Sequence, residues 1–219
     1  MVMQLRLPLV RKGNRLAAVI VGGALVIALY LLPSRLQLRP VITLDRSFID
    51  AWVPFLRWTI WVYLSEYPFM VLALWLGTDD RERSRLFYAF ILAATIGLII
   101  FIVWPTAVAR ESPGSDGVTG LLWRWLYSVD TPANALPSLH VANTCLAAAC
   151  LRRCGGVWRM IAPVWALPIV LSTLTTKQHY AIDIAGGMAL AAVCFVAVRA
   201  CLRFRDVVPE QRFRSSATP

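Results

Sequence analysis

A chain of 219 residues with 58% hydrophobic and only 16% charged residues, and a mean hydropathy of +0.64, departs from water-soluble domains. Those carry about 25% charged and about 45–50% apolar residues, so the surplus apolar surface calls for lipid as solvent. The net charge of +10 reads as loop charge drawn to anionic head groups; no segment is long enough to build a basic face for nucleic acid, and no nucleic-acid partner is expected.

The expected fold is all-α, a polytopic bundle of six transmembrane helices with both termini cytoplasmic. It spans residues 16–202, after a basic N-terminus (1–15) and before a basic tail (203–219) read as disordered. A crossing helix needs about 20 apolar residues. In chain order the candidates are Leu16–Leu32, Phe55–Leu76, Leu86–Trp104, Leu136–Leu151, Met160–Thr176 and Tyr180–Leu202. The first has basic residues before an apolar run, as a signal peptide does. It lacks a small-x-small cleavage pattern and continues to Leu32, so it reads as a retained anchor.

The loop 33–54 contains Pro33, Pro40 and Pro54 around a short surface helix near Ser47–Val53. The second span carries Glu66 near its middle and Pro68, which is expected to kink it. A carboxylate at that depth is costly enough to be a functional candidate; the favoured reading is structural, protonated and bonded to a neighbouring helix, because it lies too deep for the outer face. The loop 105–135 holds the turn-rich "ESPGSDG" and then "TGLLWRWLYSVDTPAN", expected to lie along the interface with Trp123 and Trp125 dipping into lipid. The fourth span is short and opens on polar residues, which places its outer end in a protein-lined recess. Gly186 and Gly187 suit close helix packing. The five cysteines sit in or beside apolar stretches without metal-ligand spacing, so they read as packing residues, with no metal, no cofactor and no disulfide framework.

Orientation follows from Lys and Arg. With the N-terminus inside, 15 of the 22 basic residues fall on the inner side, as the positive-inside rule requires. The expected location is the cell membrane, with a site open to the outside or periplasm.

The chain has only two histidines, and this orientation puts both at the outer face. His140 stands at the start of the fourth span in "LPSLHVAN"; His179 stands between the fifth and sixth in "TKQHYAIDIAGG". His179 and Asp183 are four residues apart, so a helix there would place them on one face. A carboxylate on one ring nitrogen fixes the tautomer and leaves the other as nucleophile or base. Pro137-Ser138 before an apolar run marks a helix start with Ser138 as N-cap. The N–H groups of that helix end suit an anion, and His140 in its first turn suits a proton donor to a leaving oxygen. Lys177 and Arg110 add positive charge at the same face. Together these groups describe a site for a phosphate ester.

"PSLH" followed, after one helical hairpin, by "HYAID" resembles the type 2 phosphatidic acid phosphatase superfamily. "ALPSLHVA" and "TKQHYAID" resemble its inositol-phosphorylceramide-synthase-like branch, as do Tyr67-Pro68 in the second span and Pro105-Thr106 after the third. The likeness covers roughly residues 50–200. It implies that His179 is a nucleophile forming a phosphohistidine, Asp183 its orienting carboxylate, His140 the general acid and Ser138 a phosphate hydrogen-bonder. Two blocks depart from the family pattern. Arg110 is followed by Glu111 rather than Pro, with Val103 where a lysine stands seven residues earlier. Ser172-Thr173 replaces Ser-Arg before the histidine, and Lys177 is expected to supply the missing charge. The activity expected first is hydrolysis of a lipid phosphate or diphosphate, because the chain is short and shows no further domain. Transfer of a phosphoryl head group between lipids comes second, and a transporter or scaffold without turnover third.

Overall fold

The computed structural model describes residues 5–204 apart from 37, 115 and 131; most of the expected tail, 205–219, lies outside the described residues. Helix α1 (Arg15–Leu36) leads to a short strand β2 (Ile42–Thr43), after β1 (Leu5–Leu7) at the start of the chain. Next come α2 (Phe48–Trp52), a 3₁₀ turn at Arg57–Thr59, α3 (Ile60–Leu64), α4 (Glu66–Leu76) and α5 (Asp80–Val103). Strand β3 (Thr106–Ala107) precedes α6 (Gly117–Val129), α7 (Leu139–Arg153), α8 (Trp158–Thr175) and α9 (Ala181–Cys201). The described chain closes on β4 (Leu202–Phe204).

Five helical stretches among the described residues are long and apolar enough to cross a membrane: Arg15–Leu32, Arg57–Leu76, Asp80–Val103, Trp158–Thr175 and Ala181–Cys201. Six crossing helices were expected. The remaining one, α7, has 15 residues and rises only about 22 Å, short of a hydrocarbon layer of about 30 Å. It stands at the centre, packed by α4, α5, α8 and α9, and so need not face lipid. Large apolar side chains such as Val21, Met160, Val164 and Val196 point outward, each more than 60% exposed. With little hydrophobic drive between helices in lipid, close packing of small residues has to hold such a bundle. Ala93, Ala142, Ala147 and Ala191 lie in its buried core.

The second span breaks where its proline requires. Pro68 has no N–H, and its ring crowds the carbonyl four residues earlier, at Leu64; α3 ends at that residue and α4 begins at Glu66. The break presents Glu66 inward, 4% exposed. The loop helix near Ser47 is present as α2, closed by a capping box between Ser47 and Asp50. The stretch expected at the interface forms α6, with one correction. Trp125 is exposed, but Trp123 is fully buried, packed with Phe55, Ile60, Tyr63 and Leu126, its indole N–H donating to the Arg57 carbonyl at 3.0 Å. Gly120, Trp123 and Leu126 recur every third residue and form the face of α6 turned to the protein.

β1 pairs in parallel with β4, and Val10 donates its N–H to Ser84 Oγ near the start of α5. Both ends of the described chain therefore meet at the end of the bundle where α5 begins and α7 and α9 finish. At the opposite end β2 pairs with β3 and Thr106 bridges Asn134, tying the two long loops together. There α7 and α9 begin against each other: the Ser138 N–H donates to the Asp183 carbonyl at 3.1 Å. The closeness depends on Gly187, where a Cβ would stand 2.4 Å from the Ser138 carbonyl oxygen and 2.9 Å from Val141 Cβ. Gly187→Ala is expected to cost about 1–3 kcal/mol through overpacking and to impair the site below. Gly23→Ala, where a Cβ meets nothing within 4 Å, is expected to be neutral or slightly stabilising; unfolding in mixed micelles compares the two.

Candidate active site

The site is built at the joined starts of α7 and α9. Ser138 is the N-cap of α7, its Oγ accepting the Val141 N–H at 3.2 Å, after a cis Leu136–Pro137 peptide bond. His140 in the first turn is 8% exposed. Its ring stacks on Tyr63 of α3, with centroids 3.9 Å apart and planes 13° from parallel. Its Nδ1 lies 2.5 Å from Glu66 Oε2. Glu66 is therefore not out of reach, because the Pro68 break brings the head of α4 to α7. The bonded state expected for it is present, and the partner is a site histidine. The signal in the sequence was the carboxylate beside a proline in an apolar span, but spacing could not name its partner across more than 70 residues.

His179 lies just before α9 rather than on it, with Tyr180 as N-cap. The i, i+4 helical geometry expected for His179 and Asp183 is therefore replaced by a turn. The Asp183 carboxylate folds back over the helix start, Oδ2 accepting the Tyr180 N–H at 2.8 Å, and stands 3.5 Å from His179 Nδ1. That approach is longer than a formed hydrogen bond. Asp183 is fully buried and His179 is 8% exposed. Among the described residues His140 Nε2, Asp183 Oδ1, Asn143 Oδ1, Thr144 Oγ1 and Gln178 Oε1 are buried without hydrogen-bond partners. Asn143 and Thr144 follow His140 by three and four residues on α7, on the same helix face. Buried polar groups are rarely left unpaired unless a site needs them.

The two cations expected to hold phosphate are engaged elsewhere. Lys177, at φ +53°, donates from Nζ to the Asp50 carbonyl at 2.8 Å and to the Val53 carbonyl. Its ammonium thus fastens the end of α2 to the α8–α9 turn. Burial, with Arg46 nearby, lowers its pKa from the ordinary lysine value. Arg110 pairs with Asp130, Nη2 to Oδ2 at 2.6 Å and Nη1 to the Asp130 carbonyl at 3.1 Å. It also lies over the Tyr127 ring, 4.8 Å from the centroid. Tyr30 donates its hydroxyl to the other Asp130 oxygen.

The sequence also did not reveal the fastening of the α9 start. Asp50, 3% exposed, accepts the Ala181 N–H at 2.8 Å on Oδ1 and the Ser47 hydroxyl at 2.6 Å on Oδ2. The Tyr180 hydroxyl accepts the Ala109 N–H at 3.2 Å and Arg46 Nε at 3.3 Å. Both long loops therefore hold the turn that carries His179. Chemically, the arrangement offers two imidazoles, each with Nδ1 beside a buried carboxylate, next to a helix N-terminus suited to an anion.

No curated protein and no solved structure matches the chain. The family model described as the PAP2 superfamily matches residues 27–197, a stretch that contains both histidines, Glu66 and Asp183, and the chain belongs to that superfamily of phosphatases and phosphotransferases.

Proposed function

We propose that the protein is a membrane phosphoesterase that hydrolyses a lipid phosphate or diphosphate at the outer membrane face. The observation that carries this reading is a buried carboxylate standing at Nδ1 of each histidine: Glu66 paired with His140 at 2.5 Å, and Asp183 3.5 Å from His179, beyond hydrogen-bond contact. A carboxylate bonded at Nδ1 orients the ring and leaves Nε2 for the substrate; Glu66 stands so to His140, and Asp183 takes that part for His179 once the 3.5 Å approach closes.

In this mechanism His179 Nε2 attacks phosphorus. The bond to the lipid alcohol breaks as the alcohol takes a proton from His140 Nε2, and Glu66 balances the charge of the imidazolium before transfer. Water then attacks the phosphohistidine, passing a proton to His140, and inorganic phosphate leaves with His179 restored. Ser138 Oγ and the first N–H groups of α7 supply hydrogen bonds to the phosphate oxygens. Arg110 contributes charge while shared with Asp130, and Lys177 acts by holding the turn beneath His179. Glu66 is a positioning residue, since it acts through His140. The outer face is favoured by the concentration of basic residues at the other end of the bundle.

Phosphate release from a panel of lipid phosphates and diphosphates, by the full chain in detergent micelles, tests the reading. His179→Ala is expected to abolish release and the acid-labile label left by radioactive substrate; retained turnover would remove it as nucleophile. The inositol-phosphorylceramide-synthase-like resemblance supports a second reading, transfer, and label moving to an added sphingolipid alcohol would replace hydrolysis with it. His140→Ala is expected to slow kcat by about 10²–10⁴-fold for an alkyl alcohol leaving group. Glu66→Gln should do so less, with KM little changed. With a nitrophenyl ester, whose leaving group needs no proton, both defects should largely vanish from kcat/KM and from the burst of nitrophenol, while turnover stays slowed because His140 also takes the proton of the attacking water. Equal defects on both substrates would make Glu66 a structural residue only.

A further inference from the structure

An open cavity of about 720 Å³ lies at the other end of the bundle, where α5 and α8 begin and α7 ends. Its volume is within the roughly 300–1,000 Å³ of small-molecule sites. Arg85, Arg152, Arg153 and Arg159 line it, against the carboxylates of Glu82 and Asp79. Both carboxylates are already committed. Glu82, 5% exposed, is met by Arg85 at 2.5 Å, Arg199 at 2.5 Å and Arg153 at 2.9 Å. Asp79 caps α5, accepting the Glu82 N–H at 2.8 Å.

Positive charge is therefore in surplus around a buried carboxylate. Arg152 and Arg159 show no ion pair among the described residues, and Arg85 Nε is buried without a hydrogen-bond partner. Arg159 also stands in the first turn of α8, an 18-residue helix whose N-terminus has no side-chain cap and no acidic residue. That end adds its own positive dipole.

We propose that this cavity binds a phosphate ester, held by Arg85, Arg152, Arg153 and Arg159, about 20 Å from the histidines along α7. Guanidinium forks match phosphate oxygens in pairs, and the cavity exceeds what a monatomic anion fills. Met160 and Val164, following Arg159 on α8, are each 68% exposed, so an acyl chain can run along the helix from a head group seated in the cavity. The shared chemistry is a phosphate ester, offered by an anionic phospholipid of the leaflet or by a soluble phosphate compound.

The test uses the full chain in phosphatidylcholine nanodiscs with and without phosphatidylglycerol, and in detergent with glycerol phosphate. Lipid retention is read by native mass spectrometry and binding by thermal shift. Arg152→Gln/Arg159→Gln removes two exposed, unpaired charges and leaves the Glu82 cluster intact. Arg11→Ala/Lys12→Ala removes the same charge from the same end outside the cavity. Affinity for phosphatidylglycerol is expected to fall by about tenfold or more in the first variant, as for losing one charge-assisted hydrogen bond, and to hold in the second. The same pattern with glycerol phosphate alone assigns a soluble ligand. Equal losses in both variants, unchanged binding in the first, or no binding of either probe to the wild type would overturn the site. Because the readout is binding, failure of the hydrolysis reading leaves it untouched.

Discussion

The bond from the Ser138 N–H to the Asp183 carbonyl, 3.1 Å long, is the contact on which the site depends. It joins the first turns of two helices that lie far apart in sequence. Because His140 lies in the first turn of α7 and His179 just before α9, holding the starts together brings both to one end of the bundle. Gly187 permits this approach because a backbone carbonyl occupies the space a Cβ would fill. In lipid such packing matters more than in water, since burying an apolar side chain between helices gains little over leaving it among acyl chains.

Around that joint the protein spends most of its charged groups on fastening loops. Lys177 serves the end of α2, Asp50 the start of α9, and Arg110 and Asp130 each other. Such groups are costly to bury and are stable there only because each has a near partner. Lys177 and Arg110 are thus engaged by loop carbonyls and by Asp130, and under the proposed mechanism a larger part of the phosphate stabilisation falls to helix-end N–H groups. The other end has the reverse balance. Three guanidinium groups converge on the Glu82 carboxylate, two further arginines there show no ion pair among the described residues, and the surplus is open to a ligand. The two ends therefore differ in kind: one holds both histidines beside buried carboxylates, with Lys177 and Arg110 engaged by loop groups, and the other holds a cluster of arginines.

Much of this was legible in the residues because membrane proteins follow simple rules. Long apolar runs declare helices, as for α5 and α9, because a backbone in lipid must satisfy its own hydrogen bonds. The N-cap at Ser138 and the surface helix after Ser47 were equally readable, since capping is local chemistry. Interfacial placement of Trp123 was not, because an amphipathic helix declares two faces without saying which of its aromatic residues meets protein. Nor was the 15-residue length of α7 a sure guide to a crossing helix, since a helix enclosed by others is released from matching the thickness of the bilayer.

By itself the sequence determined the helical class and the capped helix starts after Ser47 and Ser138, and it named candidate groups for phosphate chemistry, since these depend on residue type and short spacing. Tertiary structure alone decided who stands beside whom: Glu66 behind His140, Asp183 turned back over the head of α9, Lys177 and Arg110 turned away to loops. The physical reason is that side-chain pairing across helices depends on break points, close backbone approaches and competing partners. Those are properties of the whole assembly rather than of any stretch of chain.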